Sequence, residues 1–137
     1  MGRDVEPFFR APAPKSTGRD LFNQAWLDAR LRGEEPRAVQ ATLLELTACS
    51  AAEASKGAAR VIVCGGGAFN GALMRRLAAL LAPAPVESSD RHGIAPGQVE
   101  ALAFAWLAQQ ALDAAAVSLG AVTGARGARI LGAIYRA

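Results

Sequence analysis

Histidine and cysteine are scarce in this sequence, and their scarcity removes several chemistries at the outset. The single histidine, His92, has no convincing serine or aspartate partner in the sequence, so no nucleophilic triad can be assembled. The two cysteines, Cys49 and Cys64, have no histidine or cysteine at metal-ligand spacing, and one pair makes a thin disulfide framework. They read as two small buried thiols of a reducing compartment. Long apolar runs are missing too. The segment from Val99 to Leu112 is interrupted by Glu100, Gln109 and Gln110, so no membrane span is expected. Gly2 to Pro7 is polar where a signal peptide needs an apolar core, and the expected location is the cytoplasm. Charge of one sign is also weak, at +3 from 15 basic and 12 acidic residues. The arginines are scattered without interleaved aromatics, which suits small anionic ligands better than nucleic acid.

What remains is 52% apolar and 20% charged, the balance of a soluble globular domain. Its organising stretch is Arg60-Val61-Ile62-Val63-Cys64-Gly65-Gly66-Gly67-Ala68-Phe69-Asn70. The short branched run predicts a strand buried on both faces, ending in a turn with three consecutive glycines. Without Cβ atoms, that backbone can be approached closely by a flat or charged ligand. A helix is expected to start at once, its free amides suited to phosphate or ribose oxygens.

Taken in order, residues 1–16 read as an extended arm punctuated by Pro7, Pro12 and Pro14, whose Phe8 and Phe9 need a surface to bury against. Thr17-Gly18-Arg19-Asp20 has capping-box spacing before a helix with Leu21, Phe22, Ala25, Trp26 and Ala29 on one face. A second helix is predicted from Pro36 to about Gly57. After the glycine turn comes a helix over Asn70 to Ala82, with Leu73, Met74, Leu77, Leu80 and Leu81 inward and Arg75 and Arg76 facing water. A strand near Val86, a polar loop over Ser88 to Gly97, a helix over Gly97 to Ala116 and a last strand over Arg129 to Tyr135 complete the pattern. Trp26, Trp106, Met74 and the phenylalanines read most simply as core. The fold class is α/β. Three strands are few for a nucleotide-binding unit, so the chain reads as the C-terminal part of a longer fold.

Several readings compete at the candidate sites. Lys15-Ser16-Thr17-Gly18 has the letters of a phosphate loop but lacks the glycines that must precede the lysine. Gly65 and Gly67 fit the first two positions of a dinucleotide fingerprint, whose third position is Asn70. Glu87 lies about 20 residues on, where a ribose-binding acid belongs. A tight turn that binds nothing is the third reading, although one glycine would suffice for it. Glu100 sits in the first turn of its helix, either as a carboxylate favoured by the helix dipole or as a hydrogen-bonding group at a cleft mouth. Asp90 stays open between roles, and His92 reads as solvent-exposed.

Taken together, the segments Pro14 to Asn23, Val39 to Leu44, Cys64 to Asn70 with Leu73-Met74, Val99 to Ala108, Val122 to Ala125 and Leu131 to Ile134 resemble the C-terminal portion of anhydro-N-acetylmuramic acid kinases. The resemblance covers nearly the whole chain in the right order. It implies a ribonuclease-H-like domain of an actin-like ATPase, with residues 1–16 as a connection and 17–137 as the nucleotide-binding subdomain. It implies ATP and Mg²⁺ as cofactors, and phosphorylation of 1,6-anhydro-N-acetylmuramic acid at O6 while water opens the anhydro bridge. Gly65, Gly66, Gly67 and Asn70 would then lie along the nucleotide, and Glu100 would face the sugar. The family's phosphate loop and catalytic aspartate have no counterpart. Asp4 lies in the arm, and Asp20 and Asp28 belong to a helical segment. The isolated chain is therefore expected to be inactive and to need a missing N-terminal half or a partner chain. A dinucleotide module using Glu87, and a non-catalytic interaction domain, are the alternatives.

Overall fold

The computed structural model of the protein describes residues 6–135. The chain divides into two compact units, Glu35–Trp106 and the combination of Met1–Glu34 with Leu107–Ala137.

In the unit Glu35–Trp106, helix α3 covers Pro36–Ala54, with proline at its first turn, where a missing N–H costs nothing. Strand β1 (Val61–Val63) and strand β2 (Val86–Ser88) pair in parallel, with Val61 opposite Val86, Ile62 opposite Glu87 and Val63 opposite Ser88. A parallel pair cannot be joined by a tight turn. Helix α4 (Gly71–Leu81) supplies the crossover, packing on both α3 and β2. Its predicted stripe holds: Leu77 is buried, and Leu73, Met74, Leu80 and Leu81 are half-buried. Helix α5 (Val99–Leu112) begins in this unit.

The α/β class is thus present with two strands. Side chains alternate along a strand, and Val63 points towards Leu73 of α4 at the glycine turn. Ile62 lies on the other face and is exposed, so β1 is covered on one face rather than two.

Arg76 does not face water alone. Its guanidinium grips Glu45 of α3 with two hydrogen bonds, Nε to Oε2 at 2.7 Å and Nη2 to Oε1 at 2.6 Å. This fork fixes the azimuth of α4 on α3, a specificity that a point charge would not supply. Arg76 holds the Glu45 carboxyl down at about 2, aided by the thiol of Cys49, which donates to Oε1 at 3.2 Å. The same contact raises the Cys49 thiol above its ordinary range, so it is a poor nucleophile. Both cysteines are exposed, against the expectation of burial.

In the other unit, the aromatic cluster decides the local structure. Phe8 and Phe9 lie on Phe22 with ring centroids 5.8 and 5.4 Å away, and Phe22 meets Trp26 edge-on at 5.0 Å. This burial folds Pro7–Arg10 into a helical turn, α1, with proline at its start. The expected extended arm is therefore wrong over these residues, and residues 1–5 lie outside the described ones. Lys15 secures the turn from its ammonium to the carbonyls of Phe8 and Phe9, both at 3.0 Å. Trp26 Nε1 donates to Glu6 at 3.0 Å, and Arg30 stacks on the Trp26 ring while reaching the same carboxylate at 3.2 Å.

The predicted capping box does not form. Asp20 accepts from the Gly18 amide instead, and Asn23 caps the short helix α2 (Gln24–Asp28) through the Trp26 amide. A further turn of helix, α6, covers Gly120–Thr123. The predicted strand over Arg129 to Tyr135 reduces to one antiparallel bridge, Val117 to Arg129. No neighbouring strand among the described residues continues its ladder, and an unpaired strand leaves its backbone groups to water.

The Glu45–Arg76 fork generates a signed prediction. The folded-state carboxyl sits below its unfolded value, so the stabilisation is present above pH 4.5 and is lost as pH falls towards about 2. Glu45→Gln should lower the urea midpoint at neutral pH, and the gap from the parent should close over that acid interval. A gap that stays constant across it would show that the fork contributes no pH-dependent stability.

Candidate functional site

Parallel pairing puts the carboxyl ends of β1 and β2 side by side, and ligands in open α/β sheets bind outside such ends. The glycine turn leaves β1 at this edge. Gly65 has φ 69° and ψ −166°, a region that side chains with a Cβ scarcely enter. Its amide donates to the Pro96 carbonyl at 2.9 Å, which ties the turn to the segment leading into α5. A Cβ on Gly65 or Gly66 would meet nothing within 4 Å, so space is open outside the turn. Gly67 differs: its Cβ would stand 3.4 Å from Leu73 Cδ2, against the body of the unit. Among the described residues, the amides of Gly66 and Gly67 have no hydrogen-bond acceptor.

The helix does not begin at once. A 3-10 turn over Gly66–Phe69 intervenes, and Asn70 caps α4 by accepting from the Ala72 and Leu73 amides, both at 3.1 Å. This satisfies two donors that the sequence reading had assigned to phosphate. The free donors are those of the turn itself, and the side-chain N–H groups of Asn70 are left over from its cap. Phe69 is exposed beside the turn, not core, as are Phe104 and Trp106.

Glu87 is not a free ribose acid. It lies in β2 and accepts from or pairs with His92 at 3.0 Å, Arg60 at 3.4 Å and Arg91 at 3.5 Å. The His92 ring, and next the two guanidinium groups, hold its carboxyl below the ordinary range. His92, read as solvated, thus has a carboxylate partner. The Glu87-to-Arg91 spacing of four residues was the one local signal for this cluster; Arg60 joins it through strand pairing. Asp90 is held below its usual range chiefly by a hydrogen bond from Ser88, consistent with a local turn role. The neighbouring Ser89 hydroxyl is buried without a partner.

Glu100 is exposed in the first turn of α5, four residues beyond the carbonyl that holds Gly65. The turn and the start of this helix are therefore brought together, but no described side chain holds Glu100 in place. Asp20 and Asp28 are engaged locally with Gly18 and Gln24, and Asp4 lies outside the described residues. A cavity of about 450 Å³ opens beside Lys56, Ala58, Leu81 and Pro83, next to the amino ends of the strands and away from the glycine turn. No three metal-ligating side chains come together among the described residues.

The turn separates its glycines by function. Gly65→Ala should cost about 1–3 kcal/mol of stability, because the conformation is costly for any residue with a Cβ. Gly66→Ala should stay within about 1 kcal/mol, since it meets no atom and its φ is ordinary. Urea titration of both variants checks this; equal losses would place the strain elsewhere.

Comparison with known proteins fits this geometry. A family model described as anhydro-N-acetylmuramic acid kinase matches residues 4–137. The anhydro-N-acetylmuramic acid kinase of Pseudomonas putida is 51% identical over 140 residues, covering 97% of this chain and 39% of its own length. That of Albidiferax ferrireducens is 55% identical over 139 residues, covering 96% of this chain and 36% of its own. The Bordetella avium protein of the same name is 53% identical over 139 residues, at 96% and 37%. The chain thus spans less than two-fifths of the length of the curated relatives it matches. The match also displaces the dinucleotide reading, whose ribose acid is already engaged. With its matched residues running almost end to end and its glycine turn open at the strand ends, the chain belongs to the anhydro-N-acetylmuramic acid kinase family.

Proposed function

We propose that this chain is the C-terminal, nucleotide-binding portion of a cytoplasmic kinase acting on 1,6-anhydro-N-acetylmuramic acid. In the reaction the C1–O6 bond opens, water adds at C1, and O6 takes the γ-phosphoryl group of ATP, giving N-acetylmuramic acid 6-phosphate and ADP. The fold proposed for the whole is the ribonuclease-H-like arrangement of actin-like ATPases, with 1–16 as a connection and 17–137 as the subdomain.

The observation that carries this reading is the open glycine turn, with two unbonded amides, at the carboxyl end of a parallel strand pair in a chain of this family. Gly65 sets the turn's direction. Gly66 and Gly67 offer amides to nucleotide oxygens, and Asn70 adds its side-chain N–H groups. Glu100 accepts hydrogen bonds from sugar hydroxyls at the mouth of the same cleft. Phosphoryl transfer needs charge neutralised and the nucleophile placed. We assign the magnesium-holding groups and the catalytic aspartate to the part of the kinase that this chain does not span, since Asp20 and Asp28 are engaged locally.

A chimera tests the reading: residues 4–137 replace the matched segment of the Pseudomonas putida kinase. Gly66→Val should raise the KM for ATP by about tenfold or more, the equivalent of losing one or two hydrogen bonds, with little change in melting temperature. Glu100→Gln should raise the KM for the sugar and leave that for ATP unchanged. An unchanged ATP KM in Gly66→Val, or phosphorylation of the sugar by the isolated chain, would overturn the assignment.

A further inference from the structure

Helix α5 is apolar over most of its circumference, with Glu100, Gln109 and Gln110 as its polar residues. A helix of that kind belongs in the interior of a larger protein or in a membrane. No helix among the described residues is long and apolar enough to cross a membrane. Yet none of its residues is buried. Leu102 and Trp106, one turn apart on one side, are 51% and 50% exposed. Phe104, two residues from each and so on the opposite side, is 64% exposed. Within the same unit, Ile62 leaves the second face of the parallel sheet bare at 50% exposure. Parallel sheets are almost always covered on both faces.

One occupant is indicated by length. About three-fifths of each relative's length lies outside the segment that this chain matches. Polar sequence placed at these positions would have suited a free surface; the residues present suit an interior. We infer that α5 is an internal helix of the assembled kinase, covered on both sides by the remaining part of the family polypeptide, joined to this chain or supplied separately. Leu102 and Trp106 anchor one contact, Phe104 the other, and the Ile62 face of the sheet adds to the buried area. This deepens the kinase reading by naming its internal interface, and it requires no bound nucleotide.

The test coexpresses the tagged 137-residue chain with the portion of the Pseudomonas putida kinase outside the matched segment. The expected result is a 1:1 complex by light scattering, with slowed amide exchange along α5. Leu102→Glu and Phe104→Glu should each weaken capture by about tenfold or more, since each buries an unpaired charge at an apolar contact. Arg37→Glu, on exposed α3 surface, should not. If the portion does not express, the full-length chimera serves: Phe104→Glu should lower its melting temperature far more than Arg37→Glu. Capture unaffected by both apolar variants, equal melting of the two chimeras, or a homodimer of the chain that Phe104→Glu dissociates would overturn the inference. Complex formation without ATP binding would sink the nucleotide assignment and leave this one standing; ATP binding without capture would do the reverse.

Discussion

The parallel ladder between Val61–Val63 and Val86–Ser88 is the constraint on which the functional geometry depends. It is only three residues long, yet its direction decides which edge collects the loops. Because both strands run the same way, the glycine turn after β1 and the loop after β2 emerge together. The crossover helix α4 is a consequence of that direction, and so is its packing on α3. Reversing one strand would send the turn and the Pro96 segment to opposite edges.

Polar contacts then fix what apolar packing leaves loose. Buried apolar residues in the described chain are few: Ala48, Leu77 and Val117. With so small an interior, orientation falls to directional contacts, the Glu45–Arg76 fork between α3 and α4 and the Glu87 hub between Arg60 and the 3-10 turn Ser89–His92. Both are partly exposed, where ion pairs contribute modest stability and are screened by salt. Their value lies in register rather than in depth of the energy well. The Glu87 hub also explains why a carboxylate at the right distance in sequence does not make a dinucleotide site. Two guanidinium groups and an imidazole already face it.

Local chemistry was legible in the sequence where a residue acts on its own neighbourhood. Pro36 opening α3, the Leu73-to-Leu81 stripe and the strand–glycine–helix order follow from period and propensity alone. The motif string from Gly65 to Asn70 pointed to nucleotide, and neighbouring segments pointed to the family. What escaped was whatever depends on partners distant in sequence. Arg76 and Glu45 are far apart in the chain, and no pattern links them. Pro7 helps start a helical turn because Phe22 lies against both Phe8 and Phe9, which the spacing of prolines could not reveal. Residue type suggests core for Cys64 and Phe104, yet both are exposed, because burial depends on neighbours that residue type does not specify.

The bond from the Gly65 amide to the Pro96 carbonyl uses main-chain atoms at both ends. No side-chain replacement at either position removes a main-chain acceptor, and only proline at 65 would delete the donor. The attachment of the turn to the lead-in of α5 therefore depends on residue type only through the backbone angles that glycine allows at 65, whereas the Glu45–Arg76 fork is lost with either side chain. What anchors the turn is the path of the main chain, with glycine at 65 as its one residue requirement.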